Sequence, residues 1–163
     1  MALHTIGFTQ KSLRQFIQLL QSAGVDAIID SRLRNSGQLA GYAKKDDLAF
    51  VLELVGIAYE HHPELAPTDE ILDTYRQDKD WDRYLRHFRP LIAERAIETV
   101  AADVLGRYRN PCLLCSEATP EQCHRTLLIV PSLLDANYDV QHILPDGNLR
   151  PAEEAVEQLG FGF

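Results

Sequence analysis

The chain has 163 residues, and 24 acidic against 16 basic residues leave a net charge of −8. That balance argues against a general duplex-binding protein, which is normally basic, but leaves room for a small basic pocket that holds one phosphate. No apolar stretch approaches the length of a membrane span, and no leader pattern opens the chain. Three cysteines are too few and odd in number for a disulfide scaffold, so a cytoplasmic single domain (residues 1–163) with reduced thiols is expected.

Leu3 to Phe8 reads as a first strand. Thr9 can cap a helix in which Leu13, Phe16, Ile17 and Leu20 fall on one face, and Gly24 stops it. Val25 to Asp30 is short and apolar, the pattern of a parallel strand buried on both faces. Ser31 to Lys44 is a polar loop carrying Arg32, Arg34, Asn35, Gly37 and Gly41. A helix over Asp46 to Val55, stopped by Gly56, precedes a third strand over Ile57 to His61. Pro63 to Asp80 is less regular, with a short helix near Asp69 to Tyr75. A helix over Trp81 to Phe88 is expected to break or kink at Pro90. It resumes over Leu91 to Leu105 with Ile92, Ala96, Val100 and Val104 on one stripe. Cys112, Leu113 and Leu114 end a short buried strand, and Thr119-Pro120-Glu121-Gln122 reads as the capped start of the next helix. Pro131 should kink or end that helix, Asn137 should stop it, and Tyr138 to Ile143 gives a last strand. The tail from Pro151 to Leu159 reads as a surface helix. Strands alternate with helices, so the expected class is α/β: three layers, a mainly parallel sheet with helices on both faces, Rossmann-like.

Polar chemistry is densest from Asn110 to Arg125. Cys115 and Glu117 lie just past a strand's C-terminal end, while Cys123, His124 and Arg125 lie in or near the first turn of the following helix. That end of an α/β sheet is where ligands bind, and a helix N-terminus favours anions and thiolates. Cys115 is therefore a candidate nucleophile, with Glu117 and His124 to handle protons and Cys123 as a resolving thiol. Asp30 and Arg32 stand at the end of the second strand. Arg32, Arg34 and Arg125 are candidates to converge on an anion, since the guanidinium fork binds two oxygens at once. The competing reading pairs Asp30 with Arg32 as a local ion pair. A zinc site is disfavoured. Cys123 and His124 are adjacent, about 100° apart on a helix, and no C-x2-C pair is present. Arg125 lies ten positions after Cys115, too far for a phosphatase loop, and neither G-x-G-x-x-G nor a Walker loop is found. No metal or particular cofactor is indicated. The expected partner is a small anionic or nucleotide-like ligand; net charge does not point to nucleic acid, no membrane is involved, and oligomeric state is not legible. Arg83, Arg86, His87 and Arg89 form a basic face near Trp81, Tyr84 and Phe88, which read as the buried side of their helix.

Several of these motifs resemble the bacterial domain-of-unknown-function family 488. Its T-I-G-H-S opening appears as Thr5-Ile6-Gly7-Phe8-Thr9, its D-x-R as Asp30-Ser31-Arg32, and its P-E-L as Pro63-Glu64-Leu65. Its L-L-C-x-E and C-H-R elements appear as Leu113-Leu114-Cys115-Ser116-Glu117 and Cys123-His124-Arg125. Phe8 replaces the family's histidine, so any role of that histidine is lost or passes to another residue such as His4. The resemblance implies a cytosolic α/β domain with a shared polar site, and supplies no activity. Two function classes follow: an enzyme using Cys115 on a phosphate-bearing or nucleotide-like ligand, or a non-catalytic module that binds a nucleotide or a nucleic-acid end.

Overall fold

A computed structural model of the chain describes residues 2–116, 129–130, 133 and 137–152. In chain order these form β1 (Ala2–Gly7), α1 (Leu13–Ser22), β2 (Ala27–Asp30), α2 (Lys45–Leu54), β3 (Ala58–His61), α3 (Asp69–Asp78), α4 (Trp81–Glu94), α5 (Ile97–Leu105), β4 (Pro111–Cys115), β5 (Asp139–Ile143) and β6 (Leu149–Pro151). Short 3-10 turns cover Gln38–Ala43 and Pro63–Leu65. The strands form one sheet in the order β3-β2-β4-β1-β5-β6. All neighbours are parallel except β6, which runs antiparallel to β5. The architecture is the three-layer, mainly parallel α/β sheet that alternating apolar strands and amphipathic helices imply.

Alternation along the strands supplies both faces of the core. Ile6, Ile28, Cys112 and Leu114 pack with Phe16, Leu19 and Leu20 of α1 and Leu48 and Leu52 of α2. The intervening Leu3, Ala27, Ile29, Leu113 and Val140 pack with Ile97, Ala101, Val104 and Leu105 of α5 and with Ile129, Val130 and Leu133. Tyr84, Leu85 and Phe88 of α4 make a separate cluster against α3, joined to the second face through Ile92.

The topology determines where a ligand can sit. The chain leaves β1 toward β2 and β3, then returns with β4 in the gap between β2 and β1. From β4 it passes to β5, on the far side of β1. Connections from the adjacent strands β1 and β4 thus depart in opposite directions. Such a switch point opens a crevice beyond the strands' C-terminal ends. Gly7 and Cys115 are paired in register there.

Several local expectations need correction. Ser12, not Thr9, caps α1, accepting from the Gln15 N–H at 3.1 Å. Thr9 instead donates its hydroxyl to the Ser116 carbonyl at 2.6 Å. Pro90 does not break α4, which runs on to Glu94. The proline removes the N–H that would meet the Arg86 carbonyl, but both residues lie on the exposed side, where water can serve that oxygen. Buried residues before the proline and half-buried Leu91 and Ile92 after it keep the axis running. The interruption comes at Ala96, whose φ of 48° is left-handed, so the stretch to Leu105 is two helices. There Arg95 donates to the carbonyls of Glu64 at 2.9 Å and Ala66 at 2.6 Å, a tertiary anchor that no helical period announces. β6 was not expected. It returns through a turn in which Gly147 (φ 88°) donates to the Leu144 carbonyl, a hairpin signal carried by Asp146-Gly147. The helix start at Thr119–Gln122, Pro131 and most of the tail lie outside the described residues.

Candidate functional site

Asp30 ends β2 and Cys115 ends β4, on neighbouring parallel strands with Asp30 opposite Leu114. The two polar groups therefore share one end of the sheet, about one strand spacing and one residue apart. They do not share a face. Asp30 alternates with Ile28 toward α1 and α2, whereas Cys115 alternates with Leu113 toward the α5 side.

The Asp30 carboxylate is fully enclosed and accepts five hydrogen bonds. Arg32 donates from its backbone N–H at 3.0 Å and from Nε and Nη2, each at 2.8 Å. Tyr59 donates its hydroxyl at 2.6 Å and Asn35 its amide at 3.0 Å. Burial opposes the carboxylate, but Arg32, Tyr59 and Asn35 together outweigh it and hold the Asp30 pKa below its ordinary value. Arg32 is only 2 % exposed. Its Nη2 also donates to the Ala43 carbonyl at 2.7 Å, and its guanidinium lies 5.0 Å from the centre of the Phe8 ring. The fork expected to meet an anion is thus engaged inside the protein, where it ties β2 to the end of the following loop. Phe8 forms an apolar cover for that cation. Tyr42 secures the arrangement by donating to the Phe8 carbonyl at 2.9 Å; burial, opposed by Arg32, pushes its pKa up to about 12.

The other expected residues divide. Arg34 is half-exposed and pairs with Asp69 and, at 3.1 Å, with Asp73, fastening the loop to α3. His4 lies inside β1 opposite Cys112, about 10 Å below the strands' C-terminal ends at the rise of a strand. Cys112 is fully buried, and desolvation raises its pKa well above that of an ordinary thiol. Cys115 is 5 % exposed, more enclosed than a strand-exit thiol suggests. Glu117, Cys123, His124 and Arg125 lie outside the described residues. On α4, Tyr84, Leu85 and Phe88 are buried as expected and Arg86, His87 and Arg89 face outward.

Two residues at this end of the sheet were missed. Ser31 is buried and donates its hydroxyl to the Leu114 carbonyl at 3.2 Å, closing β2 onto β4. Lys11 is buried, and the charge of Cys115 acts on it. Desolvation lowers the Lys11 pKa, and Cys115 offsets part of that. The available signal was position: each is a polar residue within a few places of an apolar strand's exit.

A second polar cluster flanks the site at β3. His61 donates from Nε2 to the Arg32 carbonyl at 2.8 Å. His62 lies between two carboxylates, Glu60 at 2.7 Å from Nε2 and Glu64 at 2.6 Å from Nδ1. Tyr108 and Arg107 also donate to Glu60, at 2.5 and 3.2 Å. Burial disfavours the imidazolium, but the two carboxylates prevail and raise the His62 pKa above its ordinary value. Because the folded value exceeds the unfolded one, this contribution is fully present below about pH 6.5 and is lost as pH rises through the folded pKa. His62→Gln should lower stability by about 1–2 kcal/mol at pH 6 and by less at pH 9. Urea denaturation at the two pH values checks this; an equal loss at both would show that His62 is not held as an imidazolium.

Among the described residues no group of three or more His, Cys, Asp or Glu side chains is arranged to hold a metal ion, and no helix is long and apolar enough to cross a membrane. Comparison with curated proteins and with solved structures finds no match. The sequence profile of one family, described as domain of unknown function DUF488, matches residues 12–130, which include β2, the Asp30–Arg32 pair, the His62 cluster and Cys115. The chain belongs to the DUF488 family.

Proposed function

We propose that the crevice at the C-terminal ends of β1, β2 and β4 binds a small phosphate-bearing or nucleotide-like molecule, and that Cys115 is the group that reacts with it. The observation that carries this reading is the position of Cys115: the last residue of β4, opposite Gly7 of β1, at the switch point of the sheet. In this reading the Cys115 thiolate displaces a leaving group from the bound molecule: the new bond forms from a sulfur lone pair as the bond to the leaving group breaks, and that group departs with the electron pair and takes up a proton. Glu117 and His124 supply and remove protons, and Cys123 is available as a resolving thiol. Arg32 acts from beneath, shaping the loop after β2. Contact with the anion falls to Lys11 and to Arg125, with Arg34 at the periphery.

The test is alkylation of the full chain by iodoacetamide across pH, with modified sites located by mass spectrometry. Cys115 should react rapidly at pH 6–7, below the ordinary thiol pKa of about 8.5, and a nucleoside monophosphate should protect it. Cys112 should stay unmodified because it is fully enclosed. Cys112→Ser should leave the Cys115 rate alone while lowering stability by about 1–3 kcal/mol, the cost of an unpaired buried hydroxyl. Cys115→Ser should abolish the fast phase and any activity found, at a stability cost within about 1 kcal/mol.

The enclosure of Cys115 favours a second reading, a non-catalytic module that binds a nucleotide or a nucleic-acid end. Its result is a thiol of ordinary reactivity together with retained nucleotide binding, and that outcome displaces the enzyme reading.

A further inference from the structure

We infer that the outer stripe of α4 is a binding site for a phosphorylated sugar, a second site that shares no residue with the crevice at the strand ends. The sequence sets the stripe. Asp82, Leu85, Arg86, Arg89 and Pro90 stand at i, i+3, i+4, i+7 and i+8, one side of a helix over a length of about 12 Å. Together they line a recess of about 610 Å³, a size that small-molecule sites have. Leu85 is buried in the apolar cluster beneath α4 and forms the floor of the recess. Pro90 adds an apolar ring that carries no donor.

The charges of the recess are uncommitted. With 24 acidic residues against 16 basic ones, an arginine of this chain readily meets a carboxylate. Arg34, Arg76, Arg83 and Arg107 each pair with one or two, and Arg32 pairs with Asp30 inside the protein. Arg86 and Arg89 make no ion pair or hydrogen bond among the described residues. They stand one turn apart on the same stripe, where like charges slightly disfavour the helix. Each fork can engage two oxygens of a phosphate. Asp82 lies four residues before Arg86, the spacing of a helical ion pair, yet forms none among the described residues. Its carboxylate is therefore a free acceptor at the other end of the recess. Such a group repels a bare anion and accepts from hydroxyls, as a carboxylate does toward a ribose. Two guanidiniums for a phosphate, a carboxylate for hydroxyls and an apolar floor are the complement of a sugar phosphate.

Trp81 is the chain's single tryptophan and stands beside Asp82 at the start of α4, so its fluorescence reports on this stripe. The full chain is titrated with ribose 5-phosphate, inorganic phosphate and ribose, with calorimetry as a second readout. Ribose 5-phosphate should bind more tightly than either fragment, and added salt should weaken it. Arg86→Gln combined with Arg89→Gln should weaken it at least tenfold. Asp82→Ala should weaken ribose 5-phosphate and tighten inorganic phosphate, a reversal that loss of folding does not produce. All three positions are exposed, so melting temperatures should hold. A 5′-phosphorylated trinucleotide that binds more tightly through the same residues identifies a strand end as the source of the sugar phosphate; the reverse order identifies a free small molecule. No saturable response to ribose 5-phosphate overturns the site. Binding that survives the double substitution also overturns it and leaves the role of Cys115 untouched. Tightening of both ribose 5-phosphate and inorganic phosphate in Asp82→Ala overturns the sugar assignment, because the carboxylate then only repels.

Discussion

Asp30→Ala should lower stability by about 3–5 kcal/mol, a large part of the roughly 5–15 kcal/mol that holds a domain together. The loss is large because the substitution leaves Arg32 charged and almost fully buried, with the Ala43 carbonyl and the Phe8 ring face as its remaining contacts among those it makes in the intact cluster. Tyr59 and Asn35 also lose the carboxylate they donate to. Arg32→Met should cost less. It retains the stem of the side chain, and Asp30 still accepts from Tyr59, Asn35 and the backbone N–H of position 32. Urea unfolding of the two variants at pH 7 tests this ordering. If Arg32→Met is the more damaging, the carboxylate is not the organiser of the cluster. The native Asp30 pKa is depressed, so its contribution is present above the ordinary carboxylate range and is lost as pH falls through the folded value. The gap between wild type and Asp30→Ala should therefore narrow in acid.

Phe16→Ala is expected to cost about 3–5 kcal/mol by emptying a fully buried position in α1. The consequence reaches the site. The Phe16 ring lies 5.6 Å from that of Tyr42, whose hydroxyl holds the Phe8 carbonyl, and Phe8 covers the guanidinium of Arg32. Phe50→Ala, on the outward side of α2, should stay within about 0.5 kcal/mol because that ring is already 60 % exposed. Thermal melts of the pair measure the difference. Similar losses in both would mean that α2 does not present the face described.

The two expectations for Asp30 and Arg32 were both readable, and packing chose between them. An acid and an arginine two residues apart at a strand exit suit an anion site or an ion pair equally well. The ion pair forms because Tyr59 from β3, Asn35 from the loop and the Ala43 carbonyl converge on the same point, and once buried there neither charge can remain without its partner. Residues far apart in the chain made that choice, so local spacing carried no trace of it.

Local chemistry by itself determined the class of the fold, the strands at Ile28 and Leu113, the helix stops at Gly24 and Gly56, and the placing of Asp30 and Cys115 at strand exits. These follow from side-chain period, burial of apolar runs and the left-handed backbone that glycine tolerates. Tertiary structure alone decided that β4 inserts between β2 and β1, that Asp30 and Cys115 face opposite sides of one sheet, and that Lys11 is buried. Strand order depends on which faces find cover, and a lysine's burial depends on how the chain folds over it. Both are properties of distant residues brought together, which no window of the sequence contains.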